Sequence, residues 1–258
     1  STAMLAVAIS TAATAADQLL TNQTARINAV RLLTAQLDHR NWTIRGRDIY
    51  EFGVYTGGGL KTWVDELARS HIHFHNLYGF DSFAGLPEVN LDDEDPHIRK
   101  RQRQGPRAKG ISKGQDGTYM GPGGYNAAKR LNVSDPTLLM DRIKRTVNYQ
   151  RGKTELIKGF FNESLPALPW SMIARMRPAI LVDFDGDYYS STIDPAEFLI
   201  RHCLLVPGTF VYYDDMSICR PGSGCGEGKA HDEYTAKYGI RWRRLSRGFY
   251  VVVRMARP

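Results

Sequence analysis

Three acids at alternate positions, Asp183, Asp185 and Asp187, close an apolar run that begins at Ala179. A second apolar run, Thr209 to Tyr213, ends in Asp214 and Asp215. A buried strand that runs straight into carboxylates carries a site at its C-terminal end, because ligands of open α/β sheets bind beyond those ends. If the two strands are neighbours, their acids converge. Two like charges ~4 Å apart repel by roughly 4 kcal/mol at an effective dielectric of about 20. Such a cluster calls for a cation or a shared proton. With oxygen ligands alone and no His or Cys among them, the fitting ion is a hard divalent one such as Mg2+. The plainer alternative is a pair of solvated, acid-rich loop starts.

A second constellation lies upstream. The strand Asp48 to Phe52 breaks at Gly53, and the Gly57-Gly58-Gly59 turn opens a helix through Leu60, Trp63, Val64 and Leu67. Glycines let a backbone approach a ligand closely, and the helix N-terminus behind them favours polar or negative groups. The pattern is neither G-x-G-x-x-G nor a P-loop. An acid, then any residue, then Gly at a strand end (Glu51, Phe52, Gly53) is instead expected where an adenosyl compound bearing an amino acid is held. The next strand ends at Asp81, placed to accept hydrogen bonds from ribose hydroxyls; Asp81-Ser82 is also good turn chemistry. His71, His73 and His75 alternate like a metal tract but read better as a solvated strand start.

The elements that must carry these residues follow from periodicity. Residues 17–39 read as a helix, with Leu19, Leu20, Ile27, Val30, Leu33 and Leu37 at helical spacing. It covers a sheet edge or meets a second subunit and shows no chemistry of its own. From Val89 to about Met120 periodicity is lost, the mark of a functional lid or a disordered stretch. Helices are expected over 135–150, from Ser190 to about Cys203 and over 230–238, and strands over 154–161, 179–184 and 209–213. A terminal hairpin pairs 241–245 with 249–253. Strands alternating with helices, then an antiparallel pair, describe an open, mostly parallel α/β sheet covered on both faces.

The totals of the 258-residue chain agree with one large α/β domain: 42% of residues are hydrophobic and 24% charged. No apolar stretch approaches the ~20 residues of a membrane span. The Ala/Thr-rich start, residues 3–16, is a poor signal peptide. The three cysteines, Cys203, Cys219 and Cys225, are too few for a disulfide framework and read as ordinary thiols in a reducing cytoplasm. Much of the +7 net charge lies in residues 98–113. That run lacks the aromatic interleaving of a nucleic-acid surface and reads as a solvated loop, with binding of an anion or partner as the functional alternative.

Separated segments in order, Glu51–Gly58, Phe80–Glu88, Gly159–Pro166, Asp185–Thr192 with Pro207-Gly208 and Asp214-Asp215, and a further echo at Lys229–Tyr234, resemble the class I S-adenosylmethionine-dependent methyltransferases, specifically the macrocin O-methyltransferase (TylF) group. The resemblance implies a Rossmann-like, mostly parallel seven-stranded sheet with a terminal antiparallel hairpin. It also implies an N-terminal helical cap over 1–44, a catalytic domain over 45–258 and a mobile insert over 88–125. It places the donor, S-adenosylmethionine, against Glu51, Gly53, Tyr55, Thr56, Gly57, Asp81, Ser82, Phe160 and Phe161. It places Mg2+ on Asp185, Asp187, Asp214 and Asp215. Asp185 or Asp187 is the first candidate base for the acceptor hydroxyl and His231 the second. The implied partner is a small-molecule hydroxyl acceptor, with a homo-oligomer by analogy and neither nucleic acid nor membrane.

The chain departs from the family pattern in its basic insert after Glu88, in Tyr188, and in its Gly-rich stretch Cys219–Gly228, so the acceptor need not be a macrolide sugar. Two rivals stand beside this reading. Asp185-Gly186-Asp187 is an Asp-x-Asp motif, as in Mg2+-dependent nucleotide-sugar glycosyltransferases. A methyltransferase-like scaffold binding a partner through its basic loop is the non-enzymatic alternative.

Overall fold

The computed structural model describes residues 23–37, 44, 46–94 and 121–256. The signal-peptide reading of 3–16, the whole basic run 98–113 and most of the 88–125 insert fall outside them. Residues 23–37 are helical (α1). Then follow β1 (Asp48–Phe52), α2 (Gly58–Arg69), β2 (Leu77–Asp81), a short 3-10 turn at Leu91–Asp93, α3 (Ala127–Leu131), α4 (Pro136–Val147) and β3 (Thr154–Lys158). The second half holds α5 (Phe161–Ser164), α6 (Trp170–Ile173), β4 (Ala179–Phe184), α7 (Ser190–Arg201), β5 (Phe210–Tyr213), α8 (Gly226–Tyr238), β6 (Arg241–Ser246) and β7 (Phe249–Arg254).

These strands form one seven-stranded sheet in the order β3-β2-β1-β4-β5-β7-β6. β3, β2, β1, β4 and β5 run parallel, and β7 enters antiparallel to β5 and β6. The fold is the Rossmann-like α/β arrangement expected. Strand order reverses between β1 and β4, and such a switch point opens a crevice at the strand C-termini.

The parallel register decides what faces where. Glu51 pairs with Asp183, and Asp183 with Tyr212. Side chains alternate across a strand, so these three share the face covered by α1, α2 and α4. There Ala29, Val30, Leu33, Leu60, Trp63, Leu67, Leu139 and Ile143 pack over Ile49, Leu181 and Phe210. The opposite face at the same level carries Phe80, Phe52, Phe184 and Tyr213 in one cross-strand row. That row packs under α7 and α8, with Phe52 stacked on Phe80 at 4.6 Å.

α1 shares the core of the sheet rather than standing apart as a cap. β3 stops at Lys158 rather than Phe161, because Gly159 has φ +140° and turns the chain into α5. α8 begins at Gly226, earlier than periodicity alone predicts.

The cysteine reading is corrected. Cys219 and Cys225 form a disulfide, and Cys203 is the free cysteine. The turn between β5 and α8 brings their α-carbons to 5.5 Å, within bridging range. The bridge removes the cysteine argument for a reducing compartment. Among the described residues no helix is long and apolar enough to cross a membrane.

Candidate active site

The ends of β1 and β4 are pinched together. A Cβ on Gly53 would lie 1.9 Å from the Asp185 carbonyl oxygen, and Gly53 has φ +104°, so only glycine fits. The Asp185 amide donates to Phe52 O at 2.8 Å, and the Asp214 amide to Phe184 O at 3.1 Å. These bonds set the two acid-bearing turns side by side. Asp187 is left-handed at φ +66°, a strained backbone of the sort that clusters at functional sites.

The acids converge, but on an arginine. Arg26 of α1 is 3% exposed. Its Nε donates to Asp183 Oδ2 at 3.0 Å, Nη2 to Asp185 Oδ2 at 2.7 Å and Nη1 to Asp214 Oδ1 at 3.2 Å. The guanidinium carbon lies 5.2 Å from the Tyr212 ring centre and 5.9 Å from that of Trp63. Burial opposes its charge, but the three acids outweigh burial and raise its pKa well above normal. Trp63 Nε1 donates to Asp183 Oδ2 at 2.6 Å. Burial raises the pKa of Asp183, with Arg26 opposing. Thus α1, read from sequence as chemically silent, supplies the cation of this half of the cluster. The signal was present: Arg26 stands on the same helical stripe as Ala29, Val30 and Leu33, all buried.

Among the described residues the other half has no such cation. Burial and the charge of Asp215 push Asp187 well above the usual carboxylate range, and burial raises Asp215. The Asp215 amide donates to Glu227 Oε2 at 3.0 Å. Glu94, also buried, accepts the Tyr189 amide at 2.9 Å. Sequence reasoning passed over both glutamates. Glu227 shows only as an acid between two glycines at a helix start. Among the described residues no three His, Cys, Asp or Glu close around one point as a bound metal ion requires.

At the donor end, Glu51 is fully buried and neither carboxylate oxygen makes a protein hydrogen bond. Burial raises its pKa well above normal; Arg26 and the nearby Leu60 amide, which does not reach hydrogen-bond geometry, pull it back. Asp81 Oδ2 accepts the Tyr55 amide at 2.7 Å and Oδ1 the Phe83 amide at 2.5 Å. It ties the two turns together, so its turn chemistry is realised whatever else it binds. Ser82 Oγ donates to Gly85 O at 2.7 Å. Gly57 caps α2 at φ +85° with Thr56 before it. Phe160 caps α5, and Phe161 meets Phe52 edge-on at 5.6 Å. Tyr125, just after the undescribed segment, packs edge-on against Tyr55 at 5.8 Å.

His231 does not join the acids. Tyr213 Oη lies 2.9 Å from its Nδ1, and Tyr234, Trp242 and Tyr250 ring it. Burial lowers its pKa to about 4, so it is a neutral imidazole within the aromatic core. His75 Nδ1 sits 3.4 Å from Asp48 and His73 contacts Arg151, so the alternating histidines disperse.

With this geometry in view, the macrocin-O-methyltransferase (TylF) family model matches residues 126–241. Those residues resemble the TylF family. Two curated relatives point the same way. One is the 8-demethyl-8-(2,3-dimethoxy-alpha-L-rhamnosyl)-tetracenomycin-C 4'-O-methyltransferase of Streptomyces olivaceus, 29% identical over 198 residues, 75% of this chain and 59% of the relative. The other is the demethyldecarbamoylnovobiocin O-methyltransferase of Streptomyces niveus, 26% identical over 193 residues, 75% of this chain and 60% of the relative. The chain thus spans about three fifths of the length of the curated relatives it matches.

Solved structures share the TylF-like fold. The O-methyltransferase NovP superposes with a TM-score of 0.53 at 23% identity, over 88% of this chain and 79% of its own. The calicheamicin methyltransferase CalS11 gives 0.54 at 19%, over 90% and 79%. The relatives and solved structures named here are all methyltransferases.

Proposed function

We propose that this protein is an S-adenosylmethionine-dependent O-methyltransferase that moves the donor methyl to a hydroxyl of a small molecule, a natural-product sugar or related polyol, with help from a hard divalent cation. One observation carries the reading. The strand-order switch gathers the Gly-rich turn, Asp81 and both acid clusters at one edge of a TylF-family fold.

Residues at the donor side are Glu51, Gly53, Tyr55, Thr56, Gly57, Asp81, Ser82, Phe160 and Phe161. The oxygens of Glu51, buried without a hydrogen-bonding partner, suit a cationic group such as the donor's ammonium. Asp185, Asp187, Asp214 and Asp215 offer only oxygen ligands, the chemistry a hard ion takes, though among the described residues no three of them close around one point. These carboxylates are the residues that would hold such an ion, and the chemistry it would supply is a lowered pKa for the acceptor hydroxyl. The chain's own part is positioning and proton transfer. Asp187, in its strained turn, or Asp185 takes the hydroxyl proton as the acceptor oxygen bonds the methyl carbon. The bond from that carbon to sulfur breaks, and its electron pair stays on sulfur as the neutral thioether.

The test is calorimetric titration of S-adenosylhomocysteine with and without Mg2+. Micromolar binding that Glu51→Ala or Asp81→Ala abolishes is expected; no binding in either condition overturns the reading.

A further inference from the structure

Two tyrosines meet just beyond the end of β1, both in backbone conformations that side chains rarely adopt. Tyr55 has φ +48° and Tyr125 φ +53°. At a non-glycine residue such a left-handed backbone persists only where its surroundings hold it, and it clusters at functional sites. The Tyr55 amide is held by Asp81 Oδ2 at 2.7 Å. Tyr125 ends a strap laced to the turn after Asp81. The Gly123 amide donates to Leu86 O at 2.9 Å and the Leu86 amide to Gly124 O at 2.8 Å. Gly85 passes so close that a Cβ would lie 2.4 Å from Gly124 O. Asn126 Nδ2 then donates to Ala84 O at 2.8 Å, and the same side chain caps α3.

The ring of Tyr125 is thus fixed where three segments come together. It meets the Tyr55 ring of the donor turn edge-on, with centres 5.8 Å apart. It packs against the small cluster of Leu86, which follows Asp81, and Tyr188, which follows Asp187. Burial, with the charges of Asp187, Asp215 and Asp185, raises its pKa above the ordinary phenol value, so the ring also lies within reach of the acids. A donor whose ammonium meets Glu51 and whose ribose meets Asp81 carries its sulfur between those points, because sulfur joins the amino-acid chain to the ribose. Its methyl must point toward the acids that take the acceptor proton. Tyr125 stands between the Tyr55 turn and those acids.

We propose that Tyr125 is a further donor-binding residue, whose ring faces the sulfonium methyl and favours the cationic donor over its neutral thioether product. The inference rests on the S-adenosylmethionine-dependent reading above. The face of an aromatic ring is electronegative and attracts a cation within about 6 Å of its centre. The sulfur carries its positive charge only until the methyl leaves. The ring therefore holds the donor more firmly than the product.

The experiment is calorimetric titration of S-adenosylmethionine and of S-adenosylhomocysteine into the intact chain, as wild type, Tyr125→Phe, Tyr125→Leu and a ring-fluorinated form of Tyr125→Phe. The readout is the ratio of the two dissociation constants within each protein. A ring that only props the strap would weaken both ligands alike and leave the ratio unmoved. Tyr125→Phe keeps the aromatic face and should keep the ratio within about 2-fold, whereas Tyr125→Leu should shift it about 5-fold or more against S-adenosylmethionine. Fluorination keeps the shape of the ring and removes its negative face, so it should shift the ratio in the same direction as Tyr125→Leu. An unmoved ratio in the fluorinated protein overturns the inference, even if Tyr125→Leu fails to fold. Wild type that binds neither ligand overturns the methyltransferase reading and this inference with it; wild type that binds both, with the same ratio in every variant, overturns this inference alone.

Discussion

Two halves of one acid cluster, separated by a few ångströms of backbone, are held in opposite ways. Asp183, Asp185 and Asp214 surround a guanidinium that the chain brings from α1. Asp187 and Asp215 are half-buried and Glu227 is buried; among the described residues none of the three pairs with a cation, and burial pushes all three up in pKa. The first half finds its cation within the fold, although Asp183 Oδ1 has no hydrogen-bond partner. The second is left unfinished by it, and an unfinished buried charge is where a ligand has energy to contribute. Acid count alone therefore says little about where a cation goes; the distribution of the chain's own cations decides it.

The contrast can be broken at several points. The largest effect is expected on turnover: Asp185→Asn removes a candidate base and a carboxylate of Arg26 together and should lower kcat by about 10^2 to 10^4, read by donor consumption once an acceptor is in hand. Next comes Arg26→Met. Removing one partner of a buried ion-pair group costs about 3–5 kcal/mol, which urea denaturation would measure; a cost under about 1 kcal/mol would mean the guanidinium is not holding the acids.

The unfinished half predicts a pH dependence. Asp187, Asp215 and Glu227 have folded-state pKa values above their unfolded ones, so the native state binds more protons and stability falls as pH rises. In metal-free protein the loss begins near the ordinary carboxylate pKa of about 4 and continues upward through the raised folded-state values. Adding Mn2+ should flatten that slope, and melting temperatures across pH 5 to about 8 would show it. The smallest effect is Trp63→Phe, which removes the 2.6 Å indole hydrogen bond to Asp183 and should cost about 1.5–3 kcal/mol.

Much of the frame was readable from sequence. β1 was placed at Asp48–Phe52 and β2 at its Asp81 end, because apolar runs ending in glycine or acid mark buried strands with a site beyond them. The convergence of the β4 and β5 acids followed from the same logic. What escaped depends on three-dimensional register. α1 was recognised as amphipathic, yet which sheet edge its stripe meets is set by tertiary packing, so Arg26 had no visible partner. Glu227 reaches the site through a return of the chain fixed by a disulfide that an odd cysteine count argued against. His231 stands apart from the acids, and linear distance from Asp215 says nothing about the aromatic shell that encloses it.

The Cys219–Cys225 bridge has a practical consequence. The ring it closes is short, with a sequence separation of 6, so its restraint on the unfolded chain is worth only about 2 kcal/mol. Its local effect is larger, because the same ring aims Glu227. Two preparations of identical sequence but different thiol titre should therefore melt within a few degrees of each other and still differ in how firmly α8 is held against the Asp214–Asp215 turn, which makes the history of exposure to oxidants a variable to be recorded beside protein concentration.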